Sequence, residues 1–140
     1  MPTLLRSALM LLATAPMLAH AGTIEVVYGP VDVPSGAVAC ALFDAPRGFP
    51  GGSGAIAQVR GEFTDGTAIC RFKDVAAGTY AISAFHDMDG DGKLKTNLVG
   101  LPREPFAVSN NAPSHFGPPR FDDAKFTFDG GTLRLPLHAK

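Results

Sequence analysis

Three carboxylates occur within five residues in the middle of the chain, where residues 87–94 read DMDGDGKL. Acidic side chains at the first, third and fifth positions, with glycine at the sixth, match the start of an EF-hand-type loop. Alternate residues of a tight loop direct their carboxylates to one centre, and calcium takes about six to eight oxygen ligands. The pattern therefore predicts a calcium site formed by Asp87, Asp89, Asp91 and the backbone carbonyl of Lys93.

The rest of this loop departs from the EF-hand pattern. The ninth position is Lys95 and the twelfth is Leu98, and neither side chain supplies an oxygen ligand. Asn97 or Glu104 completes the ligand set only if the chain folds back. We therefore expect weak affinity, as in extracellular calcium modules. No helical pattern flanks the loop, which excludes an EF-hand proper.

A polar turn without metal is the alternative interpretation of residues 87–94. Aspartate and glycine are favoured in turns for their local hydrogen bonds and backbone freedom. Three neighbouring carboxylates repel one another, but Lys93 and Lys95 offset part of that repulsion. Both interpretations stay open at this stage.

Other polar residues lie around the same region and are candidate ligand-binding groups. The connection from Asp87 to Asp123 contains five prolines, and loops of that length are usually functional or disordered. A lone histidine at a strand end commonly makes local hydrogen bonds, and serine and asparagine are common turn residues. The candidates are His86, Glu104, Ser109, Asn110 and Asn111.

Several functional classes are excluded by what the sequence lacks. It contains no G-x-S-x-G, H-E-x-x-H or G-x-x-x-x-G-K-[ST] motif, so we predict that the protein is not an enzyme. Arg6 is the only charged residue among the first 21, which leaves 11 basic and 13 acidic side chains in residues 22–140. A net charge of −2 without a basic stripe argues against nucleic-acid binding.

The N-terminus has the features of a cleavable signal peptide. Arg6 precedes an apolar run from Ala8 to Ala19, which is too short to span a bilayer. The sequence Ala19-His20-Ala21 offers small residues to signal peptidase. Cleavage after Ala21 predicts a periplasmic or secreted domain, residues 22–140, without membrane insertion. The alternative is a buried N-terminal helix.

Cys40 and Cys70 are the two cysteines of the chain, and each alternates with apolar neighbours. In an oxidising compartment such an isolated pair usually forms a disulfide. A metal–thiolate site or a catalytic cysteine is the alternative, but no further Cys or His lies at a suitable spacing. We predict a Cys40–Cys70 bridge between two strands.

The mature chain reads as short β-runs separated by glycine, proline and aspartate. Turn-forming residues recur about every 8–12 positions, which is typical of a β-sandwich. Asp65-Gly66 predicts a hairpin turn, and Pro136 places the last strand at a sheet edge. The predicted strands are residues 23–28, 37–43, 55–62, 67–73, 79–86, 124–128 and 133–137, with a short extra strand at 106–108. We predict an all-β fold, a single Ig-like or transthyretin-like antiparallel β-sandwich of about seven strands.

A set of short motifs is spread along the mature chain. They are ALF at 41–43, FP at 49–50, GTYAI at 78–82, HD at 86–87 with the loop to 94, GLP at 100–102, SNN at 109–111, and FGPP at 116–119 followed by Phe121 and Ala124. Together these motifs resemble those of a bacterial family, numbered 2141 among the domains of unknown function. The resemblance implies an exported single sandwich domain without an established activity. The family usually has an acidic residue where this chain has Lys95.

Three functional hypotheses follow. The first is an exported, non-catalytic binding or interaction module for an unidentified envelope or extracellular partner, with residues 87–111 as a cation-stabilised recognition loop. The second is a purely structural accessory domain of the cell envelope without metal. The third, an enzyme acting on envelope carbohydrate or peptide, requires catalytic groups that the sequence does not show.

Overall fold

The computed structural model describes residues 20–139, so the predicted signal peptide lies outside the described residues except for His20 and Ala21. The elements are almost entirely strands, which confirms the all-β prediction. A 3₁₀ turn at Ser109–Asn111 and a single helical turn, α1, at Phe121–Ala124 lie between strands. The strands are β1 (Gly22–Tyr28), β2 (Ala37–Phe43), β3 (Ala57–Thr64), β4 (Thr67–Val75), β5 (Gly78–Asp87), β6 (Phe106–Val108), β7 (Phe126–Phe128) and β8 (Thr132–Leu137).

The eight strands form one curled, mixed sheet in the order β6-β5-β2-β3-β4-β1-β8, with β7 pairing along β5. The antiparallel expectation fails for one pair, because β1 and β8 run parallel from Thr23↔Thr132 to Tyr28↔Leu137. Parallel strands need a long crossover connection. Here the whole remainder of the domain serves as that crossover, which local sequence patterns do not reveal.

The β3–β4 hairpin is the place where the sheet curls. Asp65 and Gly66 adopt positive φ of 51° and 77°, as the hairpin prediction requires. The β3–β4 ladder contains only the pairs Phe63↔Ala68 and Thr64↔Thr67 beside the turn. The other residues of β3 pair with β2, whereas β4 pairs with β1 over residues 68–72 and again at Val75. Pro136 lies in β8, at the end of the strand order, as predicted.

The main core lies between the β1/β4 and β2/β5 parts of this sheet. Alternate side chains of these strands are buried together, which is the period-two pattern of a half-buried sheet. Cys40 of β2 and Cys70 of β4 form the predicted disulfide, with 6.5 Å between their Cα atoms. The core residues on these strands include Ile24, Val26, Tyr28, Val38, Leu42, Ala68, Phe72, Tyr80, Ile82 and Ala84.

A second, smaller cluster fixes the loop that follows β2. The Phe49 ring packs edge-to-face on Phe43, with ring centroids 5.1 Å apart, and on Phe121 of α1 at 5.9 Å. The Ser83 hydroxyl donates to the Pro50 carbonyl oxygen at 2.9 Å. This loop is therefore held against β5 and α1. Among residues 20–139 no helix is long and apolar enough to cross a membrane.

Candidate functional site

The acidic loop, residues 87–95, begins at Asp87. The Asp87 side chain is completely buried at the end of β5. Its Oδ2 accepts hydrogen bonds from Arg60 Nη1 and from the backbone N–H of Gly92, each at 2.9 Å. Its Oδ1 accepts the backbone N–H of Asp91 at 3.1 Å. A buried carboxylate is tolerated only when paired and hydrogen-bonded, and Asp87 meets both conditions.

Asp89 and Asp91 lie at the exposed side of the same loop. Asp89 forms an ion pair with Lys95, which lowers the pKa of the Asp89 carboxyl and raises that of the Lys95 ammonium group. Asp91 Oδ1 accepts the backbone N–H of Lys93 at 2.8 Å. Both carboxylates therefore already have partners that reduce their mutual repulsion.

The three aspartates predicted to bind calcium do converge. One oxygen from each of Asp87, Asp89 and Asp91 lies within 4.8 Å of the others. However, Arg60 contacts Asp87 and Lys95 contacts Asp89, so two of the three carboxylates are already paired with protein cations. The geometry is compatible with both the metal loop and the neutralised turn, and the calcium site stays a prediction.

Glu104 folds back onto this loop, which is the condition under which it was expected to complete the metal ligand set. Its carboxylate oxygens, however, accept hydrogen bonds from the loop backbone. The Glu104 side chain accepts the backbone N–H of Met88 at 3.1 Å and that of Lys95 at 3.2 Å. The Asn97 side-chain oxygen accepts the N–H groups of Val99 and Leu101 at 3.0 and 2.9 Å. Glu104 thus closes the loop at its base, and Asn97 organises the following turn.

His86 is buried directly before the loop. Its Nε2 lies 2.5 Å from the Ser35 carbonyl oxygen, and its ring packs on Phe63 with centroids 4.8 Å apart. The ring is therefore held by two segments distant in sequence, rather than by the local hydrogen bonds expected for a histidine at a strand end.

The Ser109–Asn111 turn lies apart from the acidic loop and makes mainly internal contacts. Ser109 Oγ accepts the Ile82 N–H at 2.9 Å and donates to the Ala124 carbonyl at 2.7 Å. Asn110 Nδ2 donates to the Lys125 carbonyl at 2.8 Å. Asn111 lines a small cavity of about 160 Å³ against β6. The structure therefore does not bring these three residues together with Asp87, Asp89 and Asp91.

A groove of about 760 Å³ crosses the outer face of β3, β2 and β5. Its floor contains Ala39 and Ala41, whose parity on β2 is opposite to that of the core residues. In register, Ala39 lies between Arg60 and Phe85. Sequence reasoning missed this site, although the small residues alternating with buried ones along β2 are a signal for it.

The groove has a loop on each side. One side is formed by Gly51, Gly52 and Ser53 from the Phe49-Pro50 loop, and the other by Gly92, Lys93 and Leu94 from the acidic loop. The Gln58 side-chain amide donates to the Gly52 carbonyl at 3.3 Å, which attaches the first loop to β3. Asp87 and Glu104 fix the second loop through its backbone N–H groups. Both loops are thus anchored to the sheet.

Few charged side chains line the groove. Among the described residues that line it, Arg60 and Lys93 are the charged side chains, and none is histidine, aspartate or glutamate. Its serines, Ser53 and Ser83, therefore have no general base within the lining, which nucleophilic catalysis requires. The arrangement suits non-covalent binding.

No curated protein and no solved structure matches the chain. Residues 30–135 match a family described as an uncharacterized protein conserved in bacteria, DUF2141. The match covers β2 to β7, both loops of the groove and most of β8. The motif resemblance is thereby confirmed: the chain belongs to the DUF2141 family.

Proposed function

We propose that this protein is an exported, non-catalytic binding module whose ligand lies in the groove across β3, β2 and β5. The single observation behind the proposal is the groove itself, a concave surface between two anchored loops. Ligand sites are usually concave, largely pre-formed and lined by apolar residues with a few polar groups. An alanine floor edged by Gln58, Arg60, Ser83 and Lys93 has this composition.

Export is the part of the proposal that concerns location. The signal-peptide pattern of residues 1–21 supports it, since Ala19-His20-Ala21 fits the signal peptidase specificity. The Cys40–Cys70 disulfide is also consistent with an oxidising compartment. We expect the protein in the periplasm or medium, starting at Gly22. An intact mass that retains Met1 in the soluble fraction would contradict this.

In this proposal the acidic loop serves as one wall of the groove. Its shape is maintained by the buried Asp87 and Glu104 carboxylates, which accept four backbone N–H groups between them. Calcium is a second candidate role, favoured by the convergence of Asp87, Asp89 and Asp91. Because Gly92 and Lys93 line the groove, calcium on this loop would stabilise the groove wall.

The test is native mass spectrometry of protein released gently from the periplasm. We expect a non-covalent small molecule on the wild type, lost on denaturation and absent from Ala39→Leu, whose larger side chain fills the floor. Ala77→Leu is the matched control, because Ala77 is exposed in the β4–β5 turn. Unliganded wild type, or equal occupancy of Ala39→Leu, would favour the structural accessory domain.

A further inference from the structure

We propose that the groove binds a small organic anion, with a carboxylate held by Arg60 and Lys93 and an apolar body lying on Ala39, Ala41 and Phe85. This inference rests on the proposed function, because it assigns a ligand class to the same groove.

Arg60 is held in one orientation by a buried partner. Its Nη1 donates to Asp87, which is 0% exposed, whereas the Arg60 side chain itself is 44% exposed. The guanidinium group carries five N–H donors in a planar fork and pairs with carboxylates in a two-bond geometry. The pairing with Asp87 leaves further donors on the open side, so a cationic fork already faces the groove.

The charge of the lining favours an anion. Asp87 compensates much of the Arg60 charge, but Asp87 also accepts two backbone N–H groups. Lys93 adds a second cation, and no acidic residue is part of the described lining. Asp91 accepts the backbone N–H of Lys93 and lies on the loop outside that lining. Two cations line the groove, and the carboxylates of the acidic loop lie close behind them, so the site suits a single acidic group better than a polyanion.

The floor favours an apolar body. Ala39 and Ala41 present only methyl groups between the longer side chains of β3 and β5, and Phe85 borders the same floor. The volume of about 760 Å³ falls within the range of about 300–1,000 Å³ typical of small-molecule sites. A flat apolar group fits on this floor with its carboxylate directed towards Arg60.

The experiment uses 2-naphthoate as the probe and neutral 2-naphthamide as its matched analogue. In amide-resolved NMR titrations of the mature protein, we expect saturable shifts at Ala39, Ala41, Gly52 and Lys93. Charge-assisted hydrogen bonds are about twice as strong as neutral ones. We therefore expect naphthamide to bind about tenfold or more weakly.

Variants separate the two cations from the rest of the surface. Lys93→Gln should weaken naphthoate binding about fivefold or more, whereas Lys73→Gln, which removes an exposed cation from β4, should leave it unchanged. Arg60→Lys retains the charge but loses the planar fork, and it should weaken naphthoate more than naphthamide. Amide spectra with native dispersion verify that each variant is folded.

Different results overturn the two proposals. Equal affinity for naphthoate and naphthamide, wild-type affinity in Lys93→Gln, or no saturable binding by a protein that carries a native ligand would overturn the anion inference and leave the groove standing. Unchanged naphthoate binding by Ala39→Leu would place the probe elsewhere and refute the groove itself.

Discussion

Arg60 and Asp87 form an ion pair that spans β2, joining β3 to β5 through a 2.9 Å contact between Nη1 and Oδ2. In the ladders, Arg60 is opposite Ala39 and Asp87 is opposite Ala37. The intervening β2 positions are both alanines, so no long side chain separates the two charges. The same contact thus orients a cation at the groove and anchors the acidic loop.

The first prediction concerns this buried carboxylate. Asp87→Ala removes three hydrogen bonds and leaves Arg60 without its partner, so it should lower the free energy of unfolding by about 3 kcal/mol or more. Asp89→Ala is the matched control and should change it far less, because that ion pair is exposed. Urea unfolding provides the comparison. Similar losses in both variants would show that Asp87 has no special structural role.

The second prediction concerns calcium. If the loop binds calcium with a dissociation constant near 10⁻⁴ M, about a tenfold excess should stabilise the fold by about 1.4 kcal/mol. This corresponds to a rise in Tm of about 4–8 °C, with a smaller effect of magnesium. Asp89→Ala and Asp91→Ala should abolish the rise, and Lys95→Gln should increase it by removing a competing cation.

Thermal unfolding with calcium and with a chelator provides the measurement. The metal-free turn predicts a different pattern. In that case the aspartate substitutions change Tm equally with and without calcium, and chelation has no effect on the wild type.

The third prediction concerns Glu25, which accepts from Arg71 Nε at 2.8 Å and from Arg134 Nη1 at 3.2 Å. The hydrogen bond from Arg71, with both positive charges, holds the Glu25 pKa below its ordinary value of 4.5. The stabilisation is therefore present above pH 4.5 and is lost as pH falls through the lowered pKa. The stability difference between wild type and Glu25→Gln, measured by urea unfolding against pH, should shrink on acidification. A difference independent of pH would contradict it.

The fourth prediction concerns Tyr28, where burial raises the phenol pKa from 10.0 to about 12. Because the folded state retains this proton more strongly, the stabilisation is complete below pH 10 and is lost as pH rises towards 12. Tyr80→Phe leaves Tyr28 as the sole tyrosine. Phenolate absorbance of that variant should appear near pH 12 while folded. Ionisation near pH 10 in a protein with native circular dichroism would refute the prediction.

The fifth prediction concerns the disulfide. The Cys40→Ala/Cys70→Ala variant should lose about 2–5 kcal/mol of stability, the usual cost of removing a native disulfide from a small domain. Thiol labelling of the unreduced, denatured wild type should detect no free thiol. Two free thiols in that protein would show that the bridge does not form.

The features predictable from sequence were those encoded by neighbouring residues. Alternation placed Cys40 and Cys70 on core-facing strands, Asp65-Gly66 specified its hairpin, and Phe106–Val108 forms the short extra strand. The alternate positions of Asp87, Asp89 and Asp91 also predicted that their carboxylates converge in one loop. These signals are local because side-chain period and turn conformation depend on the nearest residues.

The features that sequence did not predict depend on contacts between distant segments. Arg60 carries no local mark of pairing with Asp87, 27 residues away. Glu104 was a conditional metal ligand, but it closes the loop through the Lys95 N–H. The groove forms only when two loops far apart in the chain lie on either side of β2. Such features follow from strand order, which periodicity does not specify.

The parallel β1–β8 pair has a consequence for folding during synthesis. A chain that folds from its N-terminal end has β1 and β4 available early, but the other edge of β1 is paired only when the last strand arrives. Until then, β1 presents unpaired backbone groups along Thr23 to Tyr28, the kind of edge that promotes aggregation. A chain ending before Thr132 retains the groove residues yet keeps this edge open. The last strand therefore moves the open edge of the sheet from β1 to β8, where Pro136 offers no backbone N–H to another chain.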